Sequence, residues 1–348
     1  MADNNSCNAK YSGIGGQAVM EGVMMRNKEN YAVAVRKPDG EMAIVKDVYK
    51  GILSSETAEK IPIVRGIIGF IDSLVLGMKA INFSADFYAE EEEVKDKPED
   101  SKVSEEPVSE TAENNDAEAE EKGPQVMTAK EKQNSMGILT VVVMIVAMFF
   151  AMGLFMVIPY FISLAFSNWI GSPRLLALFE GIIRLLIFVA YIKFISMMEE
   201  IKRVFRYHGA EHKCINCLET GHELTVENVR NASREHRRCG TSFLLYVMVV
   251  SILFFTLIDT KNRLLRVGLR IILIPLIAGV AYEFIRLAGR SNNPIIRSLS
   301  LPGLMMQQLT TAEPDDEMIK VGIASVEAVF DWKKYLKDNF GNDVQGSP

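Results

Sequence analysis

GILTVVVMIVAMFFAMGLFMVIPYFISLAF, residues 137–166, runs for thirty positions without a charged side chain. A helix rises about 1.5 Å per residue, so this run is longer than the ~30 Å hydrocarbon core of a bilayer. Pro159 falls inside it and is expected to kink it or end its membrane part. Three more apolar runs follow at 175–198, 242–258 and 267–288. The second carries Glu180 and Arg184, four residues apart and so on one helical face. The fourth carries Arg270, Pro275, Glu283 and Arg286. Ionisable groups within spans are costly and tend to face inward, so Glu180–Arg184 and Glu283–Arg286 read as local pairs. The predicted fold is a polytopic α-helical membrane protein with about four spanning helices and a small cytosolic α+β part.

The composition of the 348 residues fits that reading once one tract is set aside. The chain is 49% hydrophobic yet 24% charged, with a net charge of −6. Residues 89–125 hold fifteen Asp/Glu and four Lys, a net −11, leaving +5 for everything else. That tract has no apolar periodicity and is expected to be a disordered spacer. Composition excludes a collagen, a fully disordered chain and a disulfide mini-protein. Nothing in it points to nucleic acid; the implied partner is the lipid bilayer. Residues 1–30 lack the apolar core of a signal peptide.

Ahead of the spans, YAVAVR (31–36) and MAIVKDV (42–48) flank Pro38-Asp39-Gly40, the pattern of a β-hairpin. Before it, the glycine-rich run 13–26 lacks the Gly-Lys-Ser/Thr of a phosphate loop. In 61–85, Arg65, Asp72 and Lys79 recur every seven residues on one stripe, with an apolar, glycine-rich remainder. This predicts an amphipathic helix in the membrane interface or packed on the bundle.

The resulting organisation has seven parts. Residues 1–60 form the cytosolic glycine-rich segment and N-terminal β-hairpin, 61–87 the interfacial helix, and 88–135 the acidic linker. Residues 136–200 hold the first two spans, 201–241 a cytosolic His/Cys loop, 242–289 the third and fourth spans, and 290–348 a C-terminal cytosolic segment. Residues 319–340 read as a short strand and a helix. The central loop carries eight basic residues, Lys202, Arg203, Arg206, Lys213, Arg230, Arg234, Arg237 and Arg238. They favour placing it, and with it both termini, on the cytoplasmic side of a bacterial membrane.

All four histidines of the chain lie between 208 and 236, and three of its four cysteines lie between 214 and 239. His208-Gly209-Ala210-Glu211-His212 is the H-x-x-E-H pattern of inverted zinc hydrolases. On a helix its histidines share one face and can bind one Zn²⁺, with Glu211 placed to accept a proton from a water acidified by the metal. Gly209 weakens such a helix. A third ligand must come from elsewhere, and Glu219, His236 and Cys239 qualify. Alternatively, Cys214, Cys217, His236 and Cys239 have the spacing of a closed structural zinc site.

Five motifs carry a family resemblance: GGQAVMEGVMMR (15–26), IPIVRGIIGFIDSLVLGMKAI (61–81), YHGAEHKCINCLE (207–219), HRRCGTSFL (236–244) and LPGLMMQQLTTAEP (301–314). Together they resemble the YqhQ-like family, bacterial membrane proteins of unknown function described as predicted metal-dependent enzymes. The resemblance implies a site drawn from His208, Glu211, His212, Glu219, His236 and Cys239. Cys214 lies outside that pattern, which disfavours the closed zinc site. The resulting expectation is a membrane-associated metal-dependent enzyme, possibly a hydrolase. In it, His208 and His212 bind a divalent metal such as zinc, Glu219, His236 or Cys239 completes the site, and Glu211 is the base. A metal-stabilised membrane scaffold and a small-solute transporter stand as alternatives.

Overall fold

The computed structural model describes residues 9–51, 60–95, 125–128, 138–258, 263–291 and 293–341. Four helical stretches among them are long and apolar enough to cross a membrane: Ile145–Ala165, Pro173–Ile195, Gly240–Leu257 and Gly268–Ala288. They belong to helices α2 (Ile138–Met152) and α3 (Ile158–Ala165), α4 (Pro173–Ile195), α7 (Gly240–Leu257) and α8 (Arg263–Ala288). Phe149, Phe150, Phe161, Leu186, Leu253 and Ile272 stand largely exposed on them, a surface suited to hydrocarbon rather than water.

The first span is broken where its proline dictates. A π turn, Gly153–Val157, joins α2 to α3, and Pro159 sits in the first turn of α3. Proline has no N–H to give the Phe155 carbonyl four residues back. Arg184 Nε on α4 donates to that carbonyl at 2.9 Å. The expected Glu180–Arg184 pair forms at 2.8 Å, and Glu180 also accepts two bonds from Arg270 of α8 at 2.9 and 3.1 Å. A freed carbonyl, two guanidiniums and one carboxylate thus tie three spans together. Glu283 does not pair with Arg286. It takes both bonds of a fork from Arg65, at 2.6 and 2.5 Å, because α1 (Val64–Lys95) packs along α8.

At one end of the bundle stands a sheet. Strands β1 (Ile14–Val19), β2 (Gly22–Asn27), β3 (Asn30–Arg36) and β4 (Met42–Val48) form an antiparallel meander, and β5 (Gln125–Thr128) adds to β4 in parallel. The expected hairpin is β3–β4, closed by Lys37 N–H donating to the Glu41 carbonyl at 2.8 Å. Both faces of β2 and β3 are buried, which explains their near-continuous apolar sequence. Val19, Met24, Tyr31, Val33, Val35 and Val45 meet Leu76 and Ala80 of α1. On the other face, Val23, Met25, Ala32 and Ala34 meet α5 (Glu199–Glu219) and α10 (Asp316–Val329).

Several expectations change. The stripe on α1 is turned toward the protein rather than left to the interface: Asp72 is buried and accepts from the Tyr49 hydroxyl at 3.0 Å, and the exposed Lys79 ammonium lies 5.5 Å from the Tyr49 ring centre. The segment after the second span is not a loop. Residues 196–198 interrupt the helix, and α5 then starts afresh, followed by α6 (Val226–Asn231). The strand expected near 319 is helical. Asp315 caps α10 by accepting from Met318 N–H at 2.9 Å, and Met318, Gly322, Ser325 and Val326 bury a helix-period face. Two helices flank it, α9 (Pro294–Thr310) and α11 (Trp332–Phe340). Within the span assigned to the acidic linker, α1 continues to Lys95 and β5 pairs with β4. The rest of that assignment falls mostly outside the described residues.

Candidate metal centre

α5 is continuous through Gly209, so His208 and His212 do share one face, their ring centres 4.3 Å apart. Each ring is oriented by a backbone carbonyl. His208 Nδ1–H donates to Thr310 at 2.8 Å, and His212 Nδ1–H donates to Arg234 at 2.6 Å. A carbonyl only accepts, so the proton is fixed on Nδ1 and Nε2 is left for another role, as in metal-ligating histidines. His208 Nε2 lies 3.2 Å from Cys239 Sγ, and one ligand atom from each of His208, His212 and Cys239 falls within 4.8 Å of the others. This is the one such group of His, Cys, Asp and Glu among the described residues.

Cys239 is the N-cap of α7. Its sulfur accepts from Thr241 N–H at 3.4 Å and lies 3.0 Å from the Thr241 hydroxyl. Burial opposes ionisation of this thiol, but the charges of His208 and His212 outweigh it and hold Cys239 well below the ordinary thiol range. Reciprocally, burial disfavours the His208 cation, and the Cys239 thiolate overrides it, raising His208 to about 9. The group therefore rests as a thiolate beside a His208 cation, and a metal would take the thiolate and displace the proton from His208 Nε2. His212 and Cys239 are buried, while His208 keeps some accessible surface.

Two buried polar atoms here have no hydrogen-bond partner: His212 Nε2 and Glu211 Oε2. Native interiors rarely leave such atoms unmatched. Burial raises the Glu211 pKa, against the pull of His208 and His212. The carboxylate is accommodated because β1 has glycine opposite it: a Cβ on Gly16 would lie 2.8 Å from Glu211 Cγ.

The other predicted residues lie outside the group of three, although the His236 ring is 5.5 Å from that of His212. Glu219 accepts from Ser12 N–H and Oγ–H at 2.9 and 2.7 Å and from Arg238 at 2.5 Å. Burial works against its charge, but His236 and Arg238 win and lower it to about 2. His236 lies between Glu219 and Arg238, 3.9 Å from a Glu219 oxygen, and burial lowers it to about 4 despite that carboxylate. Cys214 and Cys217 are free thiols in the core under the sheet. Glu21 pairs with Arg203 and accepts from the Tyr207 hydroxyl.

Sequence reasoning missed the clamp that sets Cys239. Gln307 of α9 is fully buried. It accepts from His236 N–H at 2.8 Å and donates to the His236 carbonyl at 2.6 Å and to Ser242 Oγ at 2.8 Å. Its motif, 301–314, had been singled out, but the spacing says nothing of what it touches.

A family model described as "Protein of unknown function (DUF1385)" matches residues 61–332. The chain belongs to the DUF1385 family. The "Uncharacterized protein YqhQ" of Bacillus subtilis (strain 168) is 35% identical over 312 residues, covering 89% of this chain and 90% of that protein. This agrees with the resemblance drawn from the five motifs. No solved structure matches. The DUF1385 match contains His208, Glu211, His212, Cys239, Gln307 and Thr310, whereas Gly16 lies before it.

Proposed function

We propose that this chain is a membrane-embedded metal-dependent enzyme, of the hydrolase type, with its centre at His208, His212 and Cys239. The observation that carries this reading is the pair of carbonyl-anchored imidazoles that converge with a buried thiolate, His208 Nε2 lying 3.2 Å from Cys239 Sγ and His212 Nε2 having no partner. Two imidazoles and one thiolate suit Zn²⁺ and disfavour Mg²⁺ or Ca²⁺, which take oxygen ligands. A bound divalent metal would supply Lewis acidity at this point. The side chains do the rest. His208 and His212 stay in one tautomer, Thr241 holds the Cys239 sulfur, and Glu211, free at Oε2, accepts a proton from the attacking water. Three protein donors, His208, His212 and Cys239, would hold the metal and would not by themselves close it to substrate. The sheet end of the bundle faces the cytosol in this proposal, because α5 and its surroundings carry the excess of basic residues.

The test is direct. Protein purified in detergent should hold one equivalent of metal, with X-ray absorption reporting about two nitrogens near 2.0–2.1 Å and one sulfur near 2.3 Å for zinc. A shell with no sulfur, or no stoichiometric metal, overturns the centre.

A purely structural metal is the second reading. The three ligands and their carbonyl partners tie α5, α7, α9 and the 234–239 segment together, as a staple would. Glu211→Gln separates the two: it is silent in a staple and inactivating in an enzyme.

A further inference from the structure

Where α8 ends and α9 begins, arginines gather without acidic partners. Arg237 donates to the Ser291 carbonyl at 3.5 Å and lies close enough to Arg297 for the two cations to repel. The Arg290 guanidinium stacks 5.1 Å from the Tyr11 ring centre, and Arg238 lies 4.4 Å from the same ring. Arg238 is neutralised by Glu219, and the nearby Glu283 is taken by Arg65. Among the described residues, Arg237, Arg290 and Arg297 form no ion pair.

The helix beside them is amphipathic in an unusual sense. Its inner face, Gly303, Met306 and Gln307, packs on the first turns of α7 and the last turns of α4. Its outer face exposes Ile295, Leu299 and Met305, each more than half accessible. Tyr246, six residues into the third span, donates to the Leu299 and Ser300 carbonyls at 3.2 and 3.1 Å. α9 therefore packs on the first turns of one span and the last turns of another, the two ends that meet a membrane surface. A basic cluster flanking an apolar face there complements an anionic headgroup with its chains alongside.

We infer that Arg237, Arg290 and Arg297 form a binding site for the phosphate of an anionic phospholipid, with α9 lying in the membrane surface. The inference is independent of any metal at His208.

Each arginine near an anionic surface is worth about fivefold in affinity, so removing three costs on the order of a hundredfold. The experiment uses the full chain in neutral detergent and follows retention of added lipid by native mass spectrometry, together with thermal unfolding. Phosphatidylglycerol is expected to bind and to raise the unfolding temperature, while phosphatidylcholine and inorganic phosphate do neither. Arg237→Gln/Arg290→Gln/Arg297→Gln should lose retention of phosphatidylglycerol. Lys333→Gln/Lys334→Gln/Lys337→Gln, the same charge change on exposed α11, should keep it. Should the triple arginine variant fail to fold, Arg297→Gln alone, on an exposed side chain, is expected to cut retention about fivefold. Equal binding of the two lipids overturns the site, and so does equal loss in both triple variants. Binding of phosphate alone would convert the cluster into a soluble-anion site and overturn the lipid assignment.

Discussion

The α-carbon of Gly209 lies against the carbonyl of Ala312: a Cβ at 209 would come within 2.1 Å of that oxygen. The glycine that weakens α5 as a helix is what lets the chain after α9 close onto it. The contact is secured by Ala312 N–H donating to the Phe205 carbonyl at 2.9 Å. Thr310, two residues earlier, is the carbonyl that orients His208.

Gly209→Ala therefore tests the link between packing and the centre. Helix propensity favours alanine by about 1 kcal/mol. Overpacking against backbone costs about 1–3 kcal/mol and prevails here, since an oxygen at that distance has to move. The variant should unfold at lower temperature and retain less metal, as read by calorimetry and metal analysis. A stable variant with full metal content would show that Thr310 does not set His208.

Glu211→Gln probes the proposed chemistry with little change of shape. The carboxylate has one oxygen without a partner and burial disfavours its charge, so stability should change by no more than about 1 kcal/mol. Metal content should stay the same while turnover falls by about 10²–10⁴-fold, the usual share of a general base. Complementation of a deletion strain, alongside metal analysis, reads both.

Acid should loosen the fold in two stages. Burial keeps folded His236 neutral down to about 4, against an ordinary 6.5, so the unfolded chain binds more protons in that window and stability falls as pH drops from about 6.5 to 4. Glu219, at about 2 when folded, adds a second loss between its ordinary 4.5 and 2. Each is on the order of 3 kcal/mol. His236→Gln should flatten the first stage in denaturant titrations run at several pH values and shrink the second, since His236 helps hold Glu219 charged while Arg238 remains.

Within the spans, Glu180 is the one carboxylate serving Arg184 and Arg270. Removing one partner of a buried ionic group costs about 3–5 kcal/mol. Glu180→Ala should sharply reduce the yield of folded protein. Combining it with Arg270→Met should recover part of that loss, giving a non-additive cycle in thermal unfolding. Additive losses would mean the two groups are energetically independent.

Much of this was legible from local patterns. Charge-free length identified the first span, and the Pro-Asp-Gly turn between two β-prone apolar runs identified β3–β4. The spacing of His208 and His212 needed only a helix to become a face. What stayed hidden was long-range. Nothing at Glu283 says that Arg65, 218 positions away, is its partner rather than Arg286. The start of 319–340 reads as a short strand because buried helix and buried strand share an apolar run, and the Asp315 cap is what separates them. Glu219 and His236 look like ligands by residue type, yet Arg238 and Ser12 claim them. Cys239 was one of three choices until α7 placed it.

The sheet described above draws its two covers from opposite ends of synthesis. α1 is made before any span, α5 only after the second, and α10 after the fourth. On the ribosome, the face carrying Met25, Ala32 and Ala34 is thus only half covered, by α5, until the fourth span is made and α10 follows. A chain that stalls at the translocon keeps that greasy surface open to chaperones and proteases. Arrival of the last helices is then a natural checkpoint, at which correct insertion is converted into resistance to degradation.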